Sequence, residues 1–186
     1  MATNIIEAIQ QNLEYPVIQK IDPNIQETKN KVEQVPREKL AQAAIPAVLA
    51  GIYRLSRTEE GAGKIIRNQN SSLWLNLLYS GKEHEAIQKV ARYAGVNDSQ
   101  AGIQMEAVAT EAVFLIKKNI GKDVTEAKVK TYMNGERHHI LVYLPAALAI
   151  GDLLNDESLD DRTNKMEGPI SNLVHKIENN FSGGDR

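Results

Sequence analysis

Few residues in this chain are suited to chemistry. Four histidines are present, His84, His138, His139 and His175, and there is no cysteine. Thiolate metal sites, cysteine nucleophiles and disulfide frameworks are therefore excluded together. A metal centre would have to be built from imidazole and carboxylate. His138 and His139 are adjacent, and neighbours on a helix point about 100° apart, so the pair cannot chelate one ion. Neither has a carboxylate at i+4, where Val142 and Tyr143 stand. Glu83-His84-Glu85 lacks the spacing of a zinc-protease helix, in which two histidines stand four apart.

Carboxylates gather at Asp152, Asp156, Glu157, Asp160 and Asp161. A calcium loop needs alternating oxygen ligands, a central glycine and a closing glutamate, and this stretch has no such pattern. Asp156 or Ser158 as an N-cap, with acid in the first turn that follows, accounts for these residues. "GAGK" at 61–64 invites comparison with a phosphate loop. It lacks the first glycine, the Ser or Thr after the lysine and the preceding strand, and reads as a turn. Trp74 reads as a core residue, the alternative being an exposed anchor for a partner. No residue is assigned a catalytic, cofactor or metal role, and no cofactor is expected.

The bulk composition narrows the function classes further. Of 186 residues 42% are apolar, enough for a sizeable core, and with aromatics at only 5% that core must be aliphatic. A net charge of −2 leaves no basic footprint for nucleic acid or an anionic membrane. "MATNIIEAIQ" has neither the basic nor the apolar region of a signal peptide. The longest apolar run, 140–150, is too short to span a bilayer, so no membrane insertion is expected. A cytoplasmic protein is the expectation.

The elements that would position these residues are helical. Ile5, Ile6, Ile9 and Leu13 share one face, with Asn4 as N-cap and Pro16 as terminator. After the break at Asp22-Pro23-Asn24, residues 24–34 read as a polar helix. Pro36 then opens a long apolar helix at its N1 position. Gly61 and Gly63 loosen the chain beyond it. Ser72 caps a short helix around Trp74 that ends at Gly81, and the next helix stops at Gly95. Asn97 or Asp98 opens a long helix ending at Lys117-Lys118, where cations suit the dipole. Thr125 starts a further helix that Asn134-Gly135 interrupts. "HILVYL" at 139–144 is the best strand candidate, yet its continuation through Ala146–Ala149 favours buried helix. Two short helices, 158–166 and 169–181, close the chain. The reading is a single all-α domain over 1–186, a compact bundle of about eight to ten helices.

"IPAVLAG" at 45–51 and "LPAALAI" at 144–150 are nearly the same heptapeptide, 99 residues apart. Pro36 aligns with Gly135, a polar helix precedes each break and acidic turn residues follow each long helix. Internal duplication of a kinked-helix unit, over 24–68 and 123–167, is the simplest account. Each proline would free a carbonyl, that of Gln42 or Leu141, at a cost of roughly 3 kcal/mol unless the helix bends. The small residues after each proline would let the two bends pack centrally.

Ala44, Ile45, Pro46, Leu49, Gly51, Glu60, Gly61 and Ala62 carry a resemblance to the YidB-like bacterial proteins of unknown function. "AIQKVARYAGVNDSQAGIQMEAV" is similar to that family's pattern of short helix, glycine, acidic turn, glutamine and long helix. About half the chain is covered; a glycine-rich tail is missing and the Trp74 segment has no counterpart. The resemblance implies an all-helical bacterial protein and no activity. The function expected is therefore that of a non-enzymatic helical protein that binds another protein or itself. The alternative is a metal-dependent or hydrolytic enzyme in which folding unites His138, His139 and the 152–161 carboxylates.

Overall fold

The computed structural model describes residues 4–22, 27–28, 34–67 and 73–159. Within them the chain forms α1 (Ile5–Asn12), β1 (Ile21–Asp22), β2 (Glu27–Thr28), α2 (Pro36–Ser56), α3 (Glu59–Arg67), α4 (Trp74–Tyr79), α5 (Glu83–Ala94), α6 (Asp98–Ile120), α7 (Glu126–Leu141) and α8 (Ile150–Leu154). Two short 3-10 turns, Ala146–Leu148 and Glu157–Leu159, flank α8. The all-α bundle is thus the observed architecture.

Its axis is α2. Every residue from Leu40 to Tyr53 is buried, because "LAQAAIPAVLAGIY" offers no polar stripe for water. A helix that is apolar all round must be surrounded. The surround is supplied by α5, α6 and α7, with α3 and α4 against it as well. Aliphatic side chains dominate this core, as the composition requires, and Trp74 joins them at 1% exposure.

Helix boundaries follow local chemistry. Asn4 accepts from the Ile6 amide at 2.9 Å, Asn97 from Gln100 at 2.8 Å and Thr125 from Lys128 at 3.3 Å. Pro36 occupies the first turn of α2, and Gly95 ends α5 at φ +70°, a left-handed conformation that costs glycine nothing. The start of α4 is capped from elsewhere: Glu106 of α6 accepts from the Trp74 amide and, at 3.0 Å, from that of Leu75. A carboxylate at a helix N-terminus satisfies free donors and the dipole together.

Several expectations need correction. Residues 27–28 are strand rather than helix, with Ile21 opposite Thr28 and Asp22 opposite Glu27 in an antiparallel pair. Gly61 and Gly63 do not loosen a turn; they are buried inside α3. There α3 crosses the end of α2 so closely that a Cβ on Gly61 would lie 1.9 Å from the Leu55 carbonyl oxygen. Asn134-Gly135 does not interrupt α7, which runs through to Leu141. Of the helix expected at 158–166 only Ser158 and Leu159 are described, in a 3-10 turn; the rest of it, the helix expected at 169–181 and the expected N-cap Ser72 lie outside the described residues.

The repeated heptapeptide takes two different conformations. Pro46 stands inside α2. Pro145 follows the end of α7, extended at φ −65°, ψ 127°, and leads into a 3-10 turn. The second copy is therefore a helix break, not a kink. The Leu141 carbonyl there accepts from the Leu144 amide at 3.2 Å, closing a tight turn where the helix ends. α2 and α7 do pack against each other.

The buried side chain of Gln42 joins the N-terminal arm to this turn. Its Oε1 accepts from the Gln19 amide at 2.7 Å, while Nε2 donates to the Gln19 carbonyl at 3.0 Å and to the Tyr143 carbonyl at 2.9 Å. The Ile21 amide adds a bond to the Val142 carbonyl at 2.8 Å. Replacing Gln42 by Leu leaves three backbone groups without partners, each a loss of about 1 kcal/mol or more. Gln42→Leu is expected to lower unfolding free energy by about 3 kcal/mol in urea titration and to speed exchange of the Gln19 amide.

The two helical glycines 61 and 135 separate packing from propensity. Gly61→Ala must push a backbone oxygen away and is expected to lose more than about 2 kcal/mol. Nothing lies within 4 Å of a Cβ at Gly135, so Gly135→Ala is expected to gain about 0.5–1 kcal/mol from helix propensity. Melting curves of the two variants should shift in opposite directions.

Candidate functional site

The adjacent histidines lie at the end of α7. His138 and His139 are both exposed, with ring centroids 6.3 Å apart. His139 Nδ1 lies 3.4 Å from the Glu136 carboxylate, one turn back at i−3, a partner missed by a search at i+4 alone. His84 faces the Gln88 side chain at 3.0 Å. His175 lies outside the described residues.

The acidic stretch does come beside α7, because Arg137 donates to the Ser158 carbonyl at 2.8 Å. Asp156, within that stretch, nonetheless serves the chain itself. Asp156 accepts from Arg57 at 2.6 Å, from the Ser158 hydroxyl at 2.5 Å and from the Ser158 amide at 3.2 Å. It caps the last 3-10 turn and ties it to the end of α2. Partial burial pushes the Asp156 carboxyl up, but the Ser158 bond and the Arg57 guanidinium outweigh this and hold it below its ordinary range. Asp152 is exposed. Asp160, Asp161 and the Glu157 side chain lie outside the described residues. Among the described residues no three His, Asp or Glu side chains are grouped to hold a metal ion.

The remaining motif is helical too. Just before α3, Thr58 accepts from the Gly61 amide at 3.0 Å, and within the helix Lys64 pairs with Glu60 at 2.7 Å. "GAGK" is therefore the crossing point of two helices, and its lysine is held by an i,i+4 carboxylate.

What the structure assembles instead is a surface. On α6 the inner side is buried at Ala101, Met105, Val108, Ala109, Ala112, Val113, Leu115 and Ile116. The outer side carries Ile103 at 64% and Phe114 at 56% exposure. Between them stand half-buried Ala107 and exposed Thr110. The spacing 103, 107, 110, 114 is one helical stripe. Lys118, one turn beyond Phe114, has its ammonium 6.0 Å from that ring. Leu73, 69% exposed, precedes the turn of α4 that Glu106 holds against α6.

Both edges of the stripe are fixed. On one, Glu106 holds α4. On the other, Asn12 donates to Glu111 at 2.7 Å and the Tyr15 hydroxyl donates to Gln104, fastening the N-terminal arm. Burial pushes the Tyr15 phenol up to about 12, against a smaller opposing effect from Arg37, so it remains a donor at neutral pH. The Thr110 hydroxyl is engaged by the Glu106 carbonyl at 3.0 Å.

Ile103 and Phe114 escaped sequence reading, although a signal was present. α6 is apolar on more positions than one buried stripe can use, which implies either full burial or a second apolar face. Trp74 is core, as its sequence context indicates, and its neighbour Leu73 is the exposed residue. Among the described residues no helix is long and apolar enough to cross a membrane. No protein-family model matches the chain, and neither the curated proteins nor the solved structures contain a match.

The Asp156 contacts give a pH dependence whose sign is fixed. A carboxyl held low in the folded state stabilises above its unfolded pKa of about 4, and the gain is lost as pH falls through the folded value. Arg57 is half exposed, so the effect is small. Asp156→Asn is expected to destabilise by no more than about 1 kcal/mol at pH 7, and the deficit should shrink in denaturant titrations below about pH 4.

Proposed function

We propose that this is a non-catalytic protein that acts by docking another polypeptide on the outer face of α6. The observation that supports this reading is the placement of Ile103 and Phe114 on one stripe of one helix. Isolated exposed apolar residues are ordinary on a protein surface. Two large ones on a continuous stripe, with Leu73 alongside, form a patch of the kind that marks an interaction surface. Leaving such side chains half in water forgoes about 1–2 kcal/mol each relative to burial. The polar groups at the edges are already hydrogen-bonded within the chain, so covering the stripe strands few of them.

A cytoplasmic location belongs to the same reading and rests on the absence of cysteine from the sequence. Membership of the YidB-like group is likewise a proposal, carried by residues 44–62, and adds no activity. Internal duplication remains a proposal about sequence history, now separate from any claim of equivalent bends.

A photo-crosslinking amino acid placed at Ile103 or Phe114 in cells tests the docking reading. Adducts with protein are expected at both positions and not at exposed Thr131 of α7. Equal labelling at all three, or none at any, would remove α6 as the docking face.

A further inference from the structure

Residues 145–159, which carry α8 and the two 3-10 turns, bond largely to themselves. The amides of Leu148, Ala149, Leu153, Asn155, Asp156 and Leu159 all donate to carbonyls of the same segment. None of these bonds runs to another helix, so parting the segment from the bundle breaks no shared ladder. Its apolar side, with Leu148, Ile150, Leu153, Leu154 and Leu159 buried, packs on α2 and α5.

Three cations from separate parts of the chain reach over to it. Lys82, just before α5, donates to the Leu153 carbonyl at 3.1 Å. Arg57, just after α2, pairs with Asp156 at 2.6 Å. Arg137 of α7 donates to the Ser158 carbonyl at 2.8 Å.

The joints of the segment are left-handed. Ala149 at φ 43° and Asn155 at φ 51° bound α8 at its two ends. Asparagine tolerates that region, but the Cβ of alanine crowds the following carbonyl there. A strained residue of this kind persists only where its surroundings hold it.

We propose that residues 145–159 form a strained strap that opens from α2 and α5 as one unit, latched by Lys82, Arg57 and Arg137 so that ionic strength governs its opening. Each latch starts outside the strap, so each holds the unit rather than one turn of it. Salt screens the attraction of these cations for a carboxylate and two carbonyl dipoles. It does not weaken the aliphatic contacts beneath. Opening releases the strain at Ala149 and returns conformational freedom to the segment, and it uncovers apolar surface on α2 and α5. Switching elements are drawn from such locally unstable units.

Native-state hydrogen exchange of the full chain, followed amide by amide by NMR, tests this. The amides of Leu153, Asp156 and Leu159 should share one opening, about a hundredfold or more as frequent as that of Leu49 in α2. Raising sodium chloride from about 0.05 M to about 0.5 M should speed all three about threefold relative to Leu49. Lys82→Gln, Arg57→Gln and Arg137→Gln should each speed the three amides together, by about threefold. Lys64→Gln, which removes the ion pair within α3, should not. Ala149→Gly should slow them about fivefold, because glycine adopts the left-handed region freely.

One rate shared by the strap and Leu49 would overturn the proposal, since the segment would then open only with the whole fold. A response confined to the amide nearest each substituted cation would show fraying in place of a unit. Exchange indifferent to salt and to all three glutamine variants would remove the latches. Faster exchange in Ala149→Gly would remove the strain.

Discussion

The amide of Gln42 sits in the middle of a helix that has no other reason to carry a polar side chain. Along α2 from Leu40 to Tyr53, everything around it is alanine, aliphatic, proline, glycine or tyrosine, and all of it is buried. A buried amide costs free energy unless its donors and acceptor find partners. Here Nε2 meets two carbonyls and Oε1 meets an amide hydrogen, so the orientation of the group is forced by its surroundings. Those partners come from opposite parts of the chain: Gln19 in the N-terminal arm and Tyr143 in the turn after α7. One side chain thereby fixes where the arm crosses the bundle. Gln10, donating to the Pro16 carbonyl at 2.6 Å, and Arg37, donating to that of Glu14 at 2.7 Å, hold the preceding bend to the same course.

The legibility of these features in sequence follows the range of the forces involved. Helix faces and N-caps are set by neighbours within four residues, and Asn4, Asn97 and Thr125 could be read directly. The Glu106 carboxylate, acting as a cap across about thirty residues, could not. Nor could the two-residue strands, which are too short for any period to register and depend on the arm being held by Gln42. The prolines mark the boundary between the two cases. "IPAVLAG" and "LPAALAI" have the same local preferences, yet one is helix and the other a break. α2 is surrounded by packed helices from Leu40 to Tyr53. The segment after Leu141 instead gives its Val142 and Tyr143 carbonyls to the arm.

The glycines were misread for the same reason. A glycine-rich stretch suggests freedom when only the chain itself is considered. At Gly61 the missing side chain serves contact, since the backbone of α3 lies against that of α2 and leaves no room for a methyl group. At Gly135 no neighbour comes near, and the propensities around it keep the helix running. Which of these a glycine serves depends on tertiary approach. The candidate site follows the same rule: histidines and clustered acids are apparent in the sequence, while the exposed stripe of α6 is defined only by which side of the helix is buried.

That stripe and the Gln42 contacts are mechanically linked. α1 and Tyr15 reach α6 through Asn12–Glu111 and Tyr15–Gln104, and they belong to the arm that Gln42 anchors farther along. If the arm were released, Gln104 and Glu111 would lose these partners and turn to water as open, hydrated polar groups beside Ile103 and Phe114. The apolar inner face of α1, with Ile5, Ile6 and Ile9 buried, would also open. An outer face with a defined apolar stripe and a quiet polar edge thus exists only while the arm is in place. The polar bond at the core of the bundle holds one end of an arm whose other end borders that surface.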